Sequence, residues 1–215
     1  MNLNHLTEPF HADALAALRQ HGVVAIVRTK DPDSALANAR LLLASGLRVL
    51  EVALTTPGAL GIVEQLRAEA ADDVLIGAGT VTDIDAARAA IAAGAQFLVS
   101  PNLRTDVIDL AGRHGVATIP GCLTPSEMVD AMTAGATAVK IFPAHLWTPA
   151  ALGGMLEALP ELPCVPTGGV SPTTAPDWIA AGAVAVGMGA SLTKADDPAA
   201  QARTLQEAIA GVRAP

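Results

Sequence analysis

Pro125-Ser-Glu-Met-Val-Asp-Ala-Met-Thr-Ala-Gly-Ala-Thr-Ala-Val-Lys-Ile-Phe-Pro143 carries one complete structural unit. A proline suited to the first helical position opens an Ala-rich stretch that runs to about Ala134, and Gly135 punctuates its end. The apolar run Ala138–Phe142 that follows reads as a short buried strand. Lys140 lies inside that run and is one of three lysines in the chain, with Lys30 and Lys194. A lysine is rarely buried, because its ammonium loses hydration unless it gives up its proton. A neutral amine is a nucleophile able to form a Schiff base with a carbonyl substrate.

Working outward, the same unit recurs along the whole chain. Strands are expected near Val23–Val27, Arg48–Ala53, Val74–Ala78, Gln96–Val99, Ala117–Pro120, Ala138–Phe142, Cys164–Thr167 and Ala183–Gly187. The intervals match what one strand, one helix and two short loops consume. Between them, Pro32–Ala44 has Asp31 as its N-cap and Gly46 beyond its end. Asp83–Ala93 stops at Gly94 and Pro172–Ala181 at Gly182 in the same manner. A leading helix near Ala12–His21 and a closing one near Pro198–Val212 complete the pattern. The strands are near-continuous apolar runs, as expected when both faces are covered. The expected fold is a single α/β domain over residues 1–215, a (β/α)8 TIM barrel with an additional N-terminal helix. A doubly wound open sheet is the alternative, weakened because no G-x-G-x-x-G follows the first strand.

With 215 residues and 51% hydrophobic content, the chain can bury one substantial core. A net charge of −8 without a basic cluster argues against nucleic acid. Cys122 and Cys164 form no disulfide framework, and His5, His11, His21, His114 and His145 are scattered, so neither metal nor cofactor is expected. The start of the chain lacks the pattern of a signal peptide, and no apolar stretch is long enough to span a bilayer. A cytoplasmic protein with no membrane association is the expectation.

In such a barrel the chemistry gathers where strands end. Glu51, flanked by Leu50 and Val52, is the second charged residue set in an apolar strand. A purely structural ion pair with Lys140 is one reading, but a buried pair is rarely an economical way to stabilise a core. A base beside a nucleophile is the other. Thr167-Gly168-Gly169 and Gly187-Met-Gly-Ala-Ser191 close strands seven and eight, where backbone amides and a helix N-terminus suit a phosphate. Arg28 ends strand one either as a fork for a carboxylate or phosphate or as half of a surface ion pair. Thr80 is either a donor to a substrate carboxylate or a helix cap, and Phe142 either a wall of the site or core. Cys122 reads as a small core residue, while His145 and Trp147 belong to a loop.

Leu50-Glu51-Val52, Gly77-Ala-Gly-Thr80-Val81, Ser100-Pro101, Ile119-Pro-Gly121, Lys140-Ile-Phe142-Pro143 and Pro166-Thr-Gly-Gly-Val170 occur in an order that resembles the class I 2-keto-3-deoxy-6-phosphogluconate (KDPG) aldolases and their galactonate-acting relatives. The resemblance implies a (β/α)8 barrel assembled as a homotrimer, with a phosphorylated keto sugar acid as substrate. It implies Lys140 as the Schiff-base lysine and Glu51 as general acid/base. Thr80 and Pro101 would line the pyruvate end, with Phe142 beside the lysine. Thr167, Gly168, Gly169 and Ser191 would hold the phosphate. Many members carry an arginine four residues after the glutamate; here Thr55 stands at that substrate-binding position, and Arg28 is the candidate substitute. Ser100-Pro-Asn102 and Pro120-Gly-Cys122 lean toward the galactonate series. The reaction implied is cleavage to pyruvate and glyceraldehyde 3-phosphate. Phosphate-binding barrels that are epimerases, isomerases or transferases, and a non-catalytic ligand-binding barrel, are the rival readings.

Overall fold

The computed structural model of the chain describes residues 3–213; Met1, Asn2, Ala214 and Pro215, at the ends of the expected domain, lie outside the described residues. A 3-10 turn at Asn4–Thr7 leads into helix α1 (Pro9–His21), which begins at a proline and ends at Gly22 with φ 72°. That left-handed position favours glycine. Strands and helices then alternate: β1 (Val23–Val27), α2 (Pro32–Ala44), β2 (Val49–Ala53), α3 (Ala59–Glu69), β3 (Leu75–Gly79), α4 (Ile84–Ala92), β4 (Phe97–Val99), α5 (Thr105–Arg113) and β5 (Ala117–Ile119). The second half runs β6 (Gly121–Cys122), α6 (Pro125–Thr133), β7 (Val139–Ile141), a 3-10 turn at Ala144–Leu146, α7 (Pro149–Ala158) and β8 (Cys164–Pro166). It ends with α8 (Ala175–Ala180), β9 (Val186–Met188), the single turn α9 (Ala190–Thr193) and α10 (Pro198–Arg213).

All strand pairs are parallel and fall in two sheets, β5-β4-β3-β2-β1-β9 and β6-β7-β8. Nine strands are therefore assigned among the described residues where eight were expected, because the fifth divides at Pro120. Proline has no N–H for the ladder, yet its carbonyl still accepts the Lys140 N–H at 2.9 Å. Backbone bonds link the two sheets at both edges. Thr137 and Ala138 donate to the Thr118 carbonyl, and Thr167 bridges Gly187.

Alternation within each strand sorts the core into two parts. Val24, Val49, Phe97, Val99, Ala117, Ile119, Ala138, Val165 and Ala185 form one cluster, closed at one end by Ala14 and Leu18 of α1. The intervening residues, such as Ala25, Leu50, Ile76, Leu98 and Ile141, face the surrounding helices. The helix starts follow their capping chemistry. Asp31 accepts from the Ser34 N–H, Asp83 from Ala86, and Thr124 with Glu127 completes a capping box. The helix expected from Pro172 begins instead at Ala175, because Ser171, Thr173 and Thr174 bond to one another and hold the preceding turn. The eighth expected strand is displaced toward its C-terminal end, to Val186–Met188. Among the described residues no helix is long and apolar enough to cross a membrane.

Candidate active site

Lys140 lies in the middle of β7, opposite Gly121 on one neighbour and Val165 on the other. Glu51 lies in the middle of β2, opposite Ile26 and Gly77. Both are buried, at 5% and 1% exposure, and both line one small void between the strands with Val24, Val99, Ile119 and Thr167. Glycine makes that placement possible. A Cβ on Gly79 would overlap the Glu51 carboxyl, and one on Gly77 would run into the Phe97 ring.

Burial pushes the Lys140 amine below its ordinary range, opposed by the charge of Glu51 and assisted by that of Arg28. Burial likewise raises the Glu51 carboxyl, opposed by Lys140 and Arg28. Glu51 Oε1 is buried without a hydrogen-bond partner. A buried oxygen left unpaired is costly in a purely structural pair but useful in a group that must take up and release a proton. Lys140 Nζ also stands 4.8 Å from the centre of the Phe142 ring.

Above this pair opens a cavity of about 550 Å³. Its lining includes Arg28, Lys140, Phe142, Thr167, Gly168, Gly169 and Ser191. Gly168 and Gly169 hold φ of 86° and 92°, which suits only glycine, and a Cβ on Gly169 would press on His145. Thr167 is buried and its hydroxyl donates to the Val165 carbonyl. Ser191 donates to the Val170 carbonyl at 3.2 Å. Arg28 reaches away from these glycines and donates through Nη2 to Thr80 Oγ1 at 3.1 Å.

Four expected residues stand outside the cavity lining: Glu51, which lines the small void beneath it, and Thr80, Pro101 and Thr55. Thr80 follows β3 at φ 61°, an uncommon conformation for a β-branched residue, and holds Arg28 rather than capping α4. Pro101 packs its backbone against Gly121, beside the strand of Lys140. Thr55 is exposed on the turn after β2, whereas Thr56 is buried and accepts from the Thr29 N–H. Thr55 does not line the cavity.

Gly189 and Ala190, within the Gly187–Ser191 stretch expected at the phosphate end, also line the cavity, as do Ile26, Ser171 and Lys194, which were not anticipated. Lys194 had one sequence signal, its rarity as a residue type, but its polar neighbours hid it. Strand β9 is followed directly by the single turn α9, too short to carry much dipole, and the closing helix expected near Pro198–Val212 is α10. Burial pushes the thiols of Cys122 and Cys164 up to about 12, as befits core residues. A second cavity of about 560 Å³ lies at the other end of the strands, between α1 and the loops at Asp72 and Gln96, and has no lysine in its lining. Among the described residues, no cluster of three or more His, Cys, Asp or Glu is placed to share an ion.

Residues 15–206 match the family model of the KDPG and KHG aldolases. A 2-dehydro-3-deoxy-6-phosphogalactonate aldolase of Escherichia coli strain K12 is 34% identical over 193 residues, 89% of this chain and 93% of that protein. A 2-dehydro-3-deoxy-phosphogluconate aldolase of Pseudoalteromonas atlantica is 36% identical over 174 residues, 78% of each. Among solved structures, a KDPG aldolase from Legionella pneumophila, with pyruvate captured as a covalent carbinolamine, superposes with a TM-score of 0.75 at 28% identity. The match covers 93% of this chain and 98% of that one.

Proposed function

The chain belongs to the KDPG and KHG aldolase family and is a lyase of the aldolase class; from that premise we propose that it cleaves a 2-keto-3-deoxy-6-phospho sugar acid through a Schiff base on Lys140. The observation that carries this reading is the buried amine of Lys140, held below its ordinary pKa beside a carboxyl held above its own. Neutral Lys140 attacks the C2 ketone, and a proton from solvent lets the hydroxyl of the carbinolamine leave as water. The resulting iminium is cationic, and its charge favours the ionised form of Glu51 beside it. The Glu51 carboxylate accepts the proton of the C4 hydroxyl as the C3–C4 bond breaks, and the bonding electrons pass to the iminium nitrogen. Glyceraldehyde 3-phosphate leaves with C4 as its aldehyde carbon. Glu51 then returns the proton to C3 of the enamine, and water hydrolyses the iminium to pyruvate and the free amine, giving a proton back to solvent. No step calls for a metal or organic cofactor.

Arg28, oriented by Thr80, meets the substrate carboxylate in place of the arginine absent at Thr55. Phe142 shields the iminium, Pro101 backs the pyruvate end, and Thr167, Gly168, Gly169 and Ser191 surround the phosphate. Fixing both ends places C2 against the amine, where proximity contributes most to rate. Incubation with pyruvate and borohydride, followed by peptide mass analysis, tests the first step. A reduced adduct on Lys140 is expected; an adduct elsewhere, or none in folded protein, overturns the assignment.

Cleavage of the galactonate epimer is the second reading, favoured by Ser100-Pro-Asn102 and by the E. coli relative. Comparing pyruvate release from the two epimeric substrates decides between them. In this proposal the two sheets are arcs of one closed (β/α)8 barrel, a single domain. The Thr118 carbonyl at one seam and the Thr167–Gly187 bridge at the other support it. A cytoplasmic homotrimer follows from the family resemblance, and light scattering at three times the 21.7 kDa chain mass is its test.

A further inference from the structure

One cation of the cavity has no part in the steps above. We propose that Lys194 is the phosphate-binding cation of this site and sets its preference for phosphorylated over unphosphorylated keto acids, an inference that rests on the aldolase reading. Gly168, Gly169, Ser171, Gly189, Ser191 and Lys194 line the cavity on the side of β8 and β9. A phosphate dianion there must be bound against the field of a chain with net charge −8. Backbone amides supply hydrogen bonds but little net charge, and α9 is one turn of four residues. Arg28 is committed elsewhere: it leaves the end of β1 and crosses toward Thr80 at the end of β3, away from the glycines. Lys194 is the remaining cation in the lining. Among the described residues it has no ion-pair partner; the ion pairs formed are Arg40–Glu69, Arg48–Asp73, Arg104–Asp106 and Arg113–Asp109. Of the two acids that follow it, Asp197 is already engaged in capping α10 through the Ala200 N–H. Lys194 sits on the segment after α9 with its side chain exposed at the cavity rim, a position that suits capture of an entering anion.

The test compares Lys194→Ala and Lys194→Arg with the parent on phosphorylated and unphosphorylated 2-keto-3-deoxy sugar acids. A charged hydrogen bond of this kind is worth about 10- to 100-fold in affinity. The ratio of kcat/KM between the two substrates is expected to fall by about that factor in the alanine variant, mainly through KM, and to recover in the arginine variant. A ratio within about twofold of the parent, or an equal loss on both substrates, overturns the proposal. Inorganic phosphate gives a readout independent of turnover: it should raise the melting temperature of the parent and not of Lys194→Ala, and equal stabilisation of both also overturns it. Trapping of pyruvate on Lys140 needs no phosphate. If trapping fails in the parent, the Schiff-base reading falls, while the phosphate titration still decides the role of Lys194.

Discussion

At the scale of single residues, the site rests on two groups that each oppose the other's burial. Desolvation drives Lys140 toward the neutral amine and Glu51 toward the neutral acid, while their mutual charge pulls both back. Lys140→Met should remove pyruvate trapping and aldol cleavage altogether while leaving the fold intact, as read by circular dichroism. A thioether in that space also leaves no buried amine to desolvate. Glu51→Gln should still trap pyruvate, because imine formation needs only the amine, yet turn over about 10²- to 10⁴-fold more slowly, the usual worth of a positioned acid/base. Equal loss of trapping and turnover in that variant would show Glu51 to be structural. Both residues were legible because each interrupts an apolar strand. Lys194 interrupts nothing, and a charge in a polar loop sends no such signal. Thr55 enters only through the family resemblance, as the residue four after Glu51, and it is exposed on the turn after β2 outside the cavity lining.

At the scale of elements, the strands position the chemistry as much by what they omit as by what they carry. β3 has glycine where its neighbour β2 has Glu51, and Gly79 leaves the carboxyl its space. Gly79→Ala should therefore fold, with Glu51 displaced, and lose about 10²-fold in the rate of pyruvate release, the scale of a misplacement of about an ångström. Trapping on Lys140 should survive, and a variant with parental turnover would sink the argument. The helix–Gly–strand rhythm was readable because helix caps and glycine stops are local. Pairing is not local. The delay of α8 rests on a local turn of Ser171 and Thr174, whereas the splitting of the fifth strand at Pro120 depends on which N–H groups find partners across the fold. The same holds for the Arg28–Thr80 bond, which joins residues 52 apart in the chain.

At the scale of the whole molecule, α1 and the turn before it are fastened by histidines to the end of the strands opposite the site. His5 Nε2 lies 2.9 Å from the Ala136 carbonyl, and His11 Nδ1 lies 2.6 Å from Thr137 Oγ1, which in turn accepts from the Thr118 N–H. The two rings meet edge to face at 5.2 Å, with Glu8, Asp109 and Arg113 around the groove beside His11. Burial, and then the neighbouring His5, lower His11 from 6.5 to about 4. Between those values the unfolded chain binds a proton that the folded one refuses, so stability rises with pH across this window. The contribution is complete above pH 6.5 and is lost as the pH falls toward 4, amounting to about 3 kcal/mol in all. His21, also lowered by burial, acts in the same direction. Urea melts at pH 7 and pH 5 should show the parent losing more stability than His11→Gln, which keeps a polar partner for Thr137 but does not titrate. Identical losses in the two proteins would mean that the acid sensitivity of the fold resides in its carboxylates and not in this fastening.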